Sequence, residues 1–132
     1  MTALVLIHAF PLSGAMWEHE RRALRDVADS ILAPSLPGFG GTAVPRGDPS
    51  IDGYADSIVA AMDTAKIEHA AVAGLSMGGY VAFALWRRHR RRVDRLFLAD
   101  TRAEADSDEA RDKRLRLAAL LREHGIEALL KT

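Results

Sequence analysis

The sequence predicts an α/β protein, a three-layer α/β/α sandwich around a short, mostly parallel sheet. Three observations lead to that class. Four short runs have strand character, at residues 4–7, 30–33, 70–73 and 93–99, and the first and third are apolar without interruption, as in strands covered on both faces. Segments between them carry apolar residues at helical spacing among charged ones. Strand and helix therefore alternate, and right-handed crossovers then lay the strands parallel with helices on both faces of the sheet.

Taken in order, Leu4-Val5-Leu6-Ile7 is the first strand, ended by Pro11 and Gly14. From 16 to 28, Trp17, Leu24 and Val27 fall at helical spacing, so a helix is expected to lay one stripe on the sheet. Residues 30–33 supply a second short strand. Residues 34–49, rich in Pro and Gly, form a long loop of the kind that lines sites. Ser50 is the expected N-cap of the clearest amphipathic helix, with Ile51, Tyr54, Ala55, Ile58, Val59 and Met62 at i, i+3, i+4, i+7 and Asp52 opposing the helix dipole. A buried helix is expected over 80–86 and a strand over 93–99. A helix over 106–121, stopped by Gly125, carries a sticky face at Leu117, Leu120 and Leu121, and a short apolar tail follows at 126–130. One domain is expected, with its sheet core in 1–104 and a helical segment in 105–132 that is either cap-like or swapped between protomers.

Composition narrows the partners. Lys plus Arg and Asp plus Glu each number 18, so no global field steers the chain toward nucleic acid, a membrane surface or acidic substrates. Cysteine is absent, which removes disulfides, thiolate catalysis and sulfur-ligated metal, and suits a reducing cytoplasm, the expected location. The apolar start has no basic leader and is too short for a membrane span, so it reads as a core strand. The run Arg87-Arg88-His89-Arg90-Arg91-Arg92 reads as cations at a helix C-terminus rather than a nucleic-acid patch, because its charge is compensated elsewhere and Trp86 is its only aromatic neighbour. No His or carboxylate cluster has metal-ligand spacing, and no cofactor is expected.

One motif carries chemistry. In Gly74-Leu75-Ser76-Met77-Gly78, Ser76 stands between a strand and a buried helix with Gly74 and Gly78 two residues to either side, the pattern of a nucleophile elbow. Small residues are needed because the chain reverses sharply and lifts the Ser76 hydroxyl clear of the backbone. Acyl transfer needs a nucleophile, a base and donors for the oxyanion. Ser76 is the candidate nucleophile. The Met77 amide, at the helix start, is one candidate oxyanion donor; the Phe10 amide is the second, because Pro11 has no N–H.

With these residues the chain resembles the N-terminal half of the α/β-hydrolase fold superfamily. The supporting segments are His8-Ala9-Phe10-Pro11-Leu12-Ser13 with Trp17, Leu36-Pro37-Gly38-Phe39-Gly40-Gly41, and Leu98-Ala99-Asp100-Thr101-Arg102-Ala103. The set is similar to the esterase and 3-oxoadipate enol-lactonase-like branch, which implies cleavage of a small carboxylic ester or lactone without a cofactor. Ala9 departs mildly from the Gly common after the His. The resemblance also places an acid and a general-base His in later segments and a hairpin ahead of the first strand, so a truncated domain of about four strands is expected, near the low end for sheets. Its open edges are expected to recruit a second copy or a complementary C-terminal half.

Each remaining candidate carries two readings. His8 is a loop-ordering residue in the resemblance and also a possible pocket residue. His19 and His69 read as surface positions, His89 as part of the basic helix end, and His124 as able to reach Ser76 only if the last helix folded back or swapped. Asp100, at a strand's C-terminal end, is either the catalytic acid or a cap or loop anchor. Trp17 and Phe39 line a pocket or pack the core. Three functions follow: a serine hydrolase working through a Ser76 acyl-enzyme, half of a split enzyme that is inactive alone, or a non-catalytic oligomeric interaction module.

Overall fold

The computed structural model describes residues 2–131. Four strands, β1 (Ala3–Ile7), β2 (Ser30–Leu32), β3 (Ala70–Leu75) and β4 (Val93–Ala99), form one sheet in the order β2-β1-β3-β4, with every pairing parallel. Three α-helices join them, α1 (Glu18–Ala23), α2 (Ile51–Thr64) and α3 (Met77–Arg88), and α4 (Asp108–His124) follows the last strand. The α/β class and the strand assignments hold, and the sheet is wholly parallel.

Burial explains the order. Val5 and Ile7 of the central β1 are fully buried, whereas β3 alternates buried and half-buried residues. On one face α2 contributes Ala55, Ile58 and Met62, and α3 contributes Val81, Ala82, Ala84 and Leu85, to a single core. Ser50 caps α2 as expected, its Oγ accepting from the Gly53 N–H at 3.0 Å. Among the described residues no helix is long and apolar enough to cross a membrane.

Three local expectations are corrected. The helix expected over 16–28 is a 3₁₀ turn (Gly14–Trp17) followed by the short α1, and Val27 is 64% exposed instead of packed. Docking to the sheet edge ends the helix early: the Thr2 N–H donates to the Asp29 carboxylate at 2.6 Å and the Asp29 N–H to the Thr2 carbonyl at 2.9 Å, so the chain must already be turning after Leu24. The last helix is displaced to Asp108–His124, because Ser107 caps it through the Ala110 N–H and Gly125, at φ +73°, ends it. The tail at 126–130 forms a 3₁₀ helix (Ile126–Lys131) that buries Ala128.

The basic run staples helices together. Arg87 pairs with Asp52, and Arg88 and His89 both reach Asp56, at 3.0 and 2.7 Å, which ties the end of α3 to α2. Arg92 bridges Asp63 and the Ile67 carbonyl, and Arg90 stacks 3.7 Å above the Trp86 ring. Edge strand β4 is different: Phe97 is 69% and Leu98 38% exposed, apolar side chains on a strand with one unpaired edge.

Candidate active site

β3 ends at Leu75 and α3 begins at Met77, so Ser76 alone makes the connection, at φ +53° and ψ −114°. A non-glycine residue there is strained, by about 1–3 kcal/mol, and must be held by its surroundings. Three hydrogen bonds hold it. The Ser76 N–H donates to the Ala99 carbonyl at 3.0 Å, and its carbonyl accepts from the Gly79 N–H and the Thr101 hydroxyl, each at 2.9 Å. The glycines make the turn sterically possible: a Cβ on Gly74 would overlap the Gly78 carbonyl, one on Gly78 the Ile7 carbonyl, and one on Gly79 the Thr101 side chain. The register brings Ile7, Gly74 and Leu98 level, so these approaches gather at the C-terminal edge of the sheet.

The loop after β1 is organised by His8, which is completely buried. Its Nδ1–H donates to the Ala9 carbonyl at 3.0 Å, and its Nε2 accepts from the Leu36 N–H at 3.0 Å, which joins the two loops. Burial pushes its pKa below the ordinary histidine value, against the smaller opposing effect of the bond to Ala9. The Ala9 carbonyl also accepts from the Leu12 N–H. In a trans peptide the Phe10 N–H points opposite to that pinned carbonyl, so its direction is fixed as well. Phe39 packs edge-on against His8, Phe10 and Tyr54 at 5.3, 6.1 and 6.2 Å between ring centres.

Ser76, Met77 and Phe10 line one cleft of about 630 Å³. Its further walls are Ile51 and Tyr80 from α2 and α3, Glu104 and Asp106 from the loop after β4, and Arg114, Leu117, Ala118 and Leu121 of α4. Helix α4 thus supplies one wall of the cleft. Arg114, with Arg102 beyond it, holds the Asp106 carboxyl below the usual carboxylate range. Thr101, Tyr80 and the α4 wall were not singled out as site residues from the sequence. The one available signal was helical spacing: Tyr80 is four residues after Ser76, one turn along the same face.

Other candidates lie elsewhere. His8, Trp17 and Phe39 do not line the cleft; His8 and Phe39 support it from behind, and Trp17 is half-buried at the end of the 3₁₀ turn. Asp100 is exposed at φ +43°, immediately after the Ala99 carbonyl that holds Ser76. His69 pairs with Asp94 and His89 with Asp56, His19 is exposed, and His124 lies beside Glu123 and lines a separate cleft with Leu120 and Glu127. Among the described residues, no three His, Cys, Asp or Glu side chains converge where a metal ion could be held.

A parallel sheet with a strained serine between strand and helix, on the lining of a cleft that α4 also walls, agrees with the family comparison. The model of the alpha/beta hydrolase fold matches residues 2–122, and the chain belongs to that family. It is 35% identical over 98 residues to the pimeloyl-[acyl-carrier protein] methyl ester esterase of Aromatoleum aromaticum, covering 74% of this chain and 36% of that protein. Among solved structures, a thermophilic esterase from Thermogutta terrifontis superposes with a TM-score of 0.90 at 36% identity, over 99% of this chain and 48% of that one. The enol-lactonase of Burkholderia xenovorans LB400 superposes with a TM-score of 0.84 at 32% identity, over 97% and 48%. The chain spans less than half the length of these proteins.

Proposed function

We propose that this chain carries the nucleophile and oxyanion site of a serine hydrolase acting on a small, largely apolar carboxylic ester or lactone. The observation that carries the reading is Ser76, held at φ +53° with Met77 and Phe10 on the lining of the same cleft. The esterase and lactonase relatives support the substrate class. Ser76 Oγ attacks the carbonyl carbon while its proton passes to a base; the carbonyl oxygen becomes an oxyanion that accepts hydrogen bonds from the Met77 and Phe10 N–H groups. Collapse expels the alcohol, which takes the proton from the base, and leaves an acyl-Ser76 that water hydrolyses.

The base must come from outside the arrangement described above. Both ring nitrogens of His8 are engaged, and His69 and His89 pair with aspartates away from the cleft. A second polypeptide segment that brings a His and an acid, docked along β4 where Phe97 and Leu98 stand exposed, completes the site. A second copy of the chain is the other occupant of that edge.

The test is intact mass after a fluorophosphonate probe, with Ser76→Ala as control. One adduct per chain, formed once the His-bearing partner is present and lost in the control, is the expected result. An adduct that forms only when a His-bearing complementary polypeptide is added identifies the chain as one half of the enzyme. No adduct in either case rejects the hydrolase reading and leaves the Ser76 turn as a packing device. For the edge, Phe97→Arg is expected to abolish association at β4, read by sedimentation as loss of the complex with the complementary polypeptide or of a dimer of the chain; a complex or dimer that survives the substitution removes β4 as the contact.

A further inference from the structure

We propose that Arg114 is a positioning residue: it sets the rotation of α4 about its own axis and so decides which wall the cleft presents to Ser76. This rests on reading the Ser76 cleft as a hydrolase site, and it concerns the regulation of that site. Helix α4 has no buried residue along its 17 positions, so burial in the core does not orient it. The side-chain hydrogen bonds that tie it to the rest of the protein, among the described residues, come from Arg114. Arg114 Nε donates to Asp106 Oδ2 at 2.6 Å and its Nη2 to the Tyr80 hydroxyl at 3.2 Å, with the guanidinium 5.7 Å from the centre of the Tyr80 ring.

Each partner fixes something different. Asp106 stands just ahead of the N-cap Ser107 and also accepts from Arg102 at 2.9 Å, which ties the start of α4 to the segment leaving β4. Tyr80 lies on α3, one turn beyond Ser76, and ties the second turn of α4 to the helix of the nucleophile. Leu117, Ala118 and Leu121 stand three, four and seven residues after Arg114, on the same face. Anchoring Arg114 on Tyr80 therefore turns that apolar stripe onto the cleft, where all three are half-buried. A slip of one residue rotates the helix by about 100° and would set Lys113, Arg116, Leu117 and Leu120 there instead, which puts a second cation in the apolar stripe.

The planar guanidinium reaches both partners at once, which an ammonium does not. The Arg114 side chain is 56% exposed, so salt screens its pair with Asp106. The cap is thereby a salt-sensitive wall.

Hydrogen–deuterium exchange on the whole chain tests this, comparing wild type with Arg114→Gln, Arg114→Lys and Tyr80→Phe at low and at molar salt. Arg114→Gln is expected to speed exchange across α4 about fivefold, the scale of an exposed ion pair, while α2, β1 and β3 stay unchanged. Arg114→Lys recovers part of the protection, and Tyr80→Phe loses less than Arg114→Gln. Molar salt speeds α4 exchange in wild type and adds nothing in Arg114→Gln, a dependence that loss of packing alone does not produce. Equal α4 exchange in wild type and Arg114→Gln, or a rise spread over every element, overturns the proposal. In a preparation that turns over a short-chain ester, Arg114→Gln raises KM about fivefold and leaves kcat unchanged; a fall in kcat at constant KM overturns it. Altered α4 exchange with no probe labelling of Ser76, whether or not a His-bearing complementary polypeptide is added, rejects the hydrolase reading and keeps the anchor, and labelling with α4 exchange unmoved does the reverse.

Discussion

Gly78→Ala is expected to lower the melting temperature by about 10 °C or more and to remove any reactivity at Ser76. The helix that begins at Met77 runs so close to the end of β1 that a methyl group on Gly78 would fall on the Ile7 carbonyl and next to that of His8. These are backbone atoms of a buried central strand, and close-packed interiors do not yield locally. Relief requires α3 to move away from the sheet, which opens the contacts of Val81, Ala82 and Leu85 with the core. Overpacking of this kind costs about 1–3 kcal/mol, and a clash with backbone belongs at or above the top of that range; each kcal/mol is about 3–5 °C for a chain of this size. Gly41→Ala is the control. Gly41 also sits at positive φ, +78°, but a Cβ there meets nothing within 4 Å, so only the conformational cost of about 1–2 kcal/mol applies. Thermal denaturation followed by circular dichroism separates the two; equal melting temperatures for both variants would show that the approach of α3 to β1 is not rigid.

These glycines also show what a sequence can and cannot carry. The small residues around Ser76 predicted a tight strand-to-helix turn, and in the structure Ser76 joins β3 to α3 at φ +53°. Which atoms they avoid was not legible, because the neighbours of Gly78 are Ile7 and His8, far earlier in the chain, and those of Gly79 belong to Thr101. The same limit governs the cleft. The apolar stripe of α4 was visible as helical spacing, but spacing does not say what the stripe faces: Leu117 and Leu121 line the Ser76 cleft on the face that also carries Arg114 and its bond to Tyr80. Val27 fails for the opposite reason. Its spacing was helical, but the clamp between Thr2 and Asp29 ends the helix before Val27 can pack. Local periodicity decides the element; contacts distant in sequence decide where it stops and which way it points.

His8→Ala is expected to cost about 3–5 kcal/mol, although no chemistry is assigned to the ring. The substitution leaves the fully buried Leu36 N–H without its acceptor, about 1–3 kcal/mol, and empties the space of an imidazole packed against Phe39, about 2 kcal/mol more. His8→Gln, whose amide oxygen can accept from Leu36, should recover part of this. The ring also holds the Ala9 carbonyl and with it the direction of the Phe10 N–H, so residual reactivity of Ser76 should fall further than stability alone explains. A pH dependence distinguishes this role from simple packing. Burial favours the neutral ring in the folded chain and lowers its pKa, and a protonated Nε2 would point a second proton at the Leu36 N–H. Below the ordinary histidine value of about 6.5 the unfolded chain therefore binds the proton that the folded chain refuses. Stability should fall as pH drops from 7 toward 5, by at most about 1.4 kcal/mol per pH unit from this group, and level off only below the lowered folded pKa. Urea midpoints measured across that range should show the slope in wild type and a shallower one in His8→Gln; parallel slopes would mean that the His8 ring accepts its proton in place, and that its bond from Leu36 is not what orders the loop.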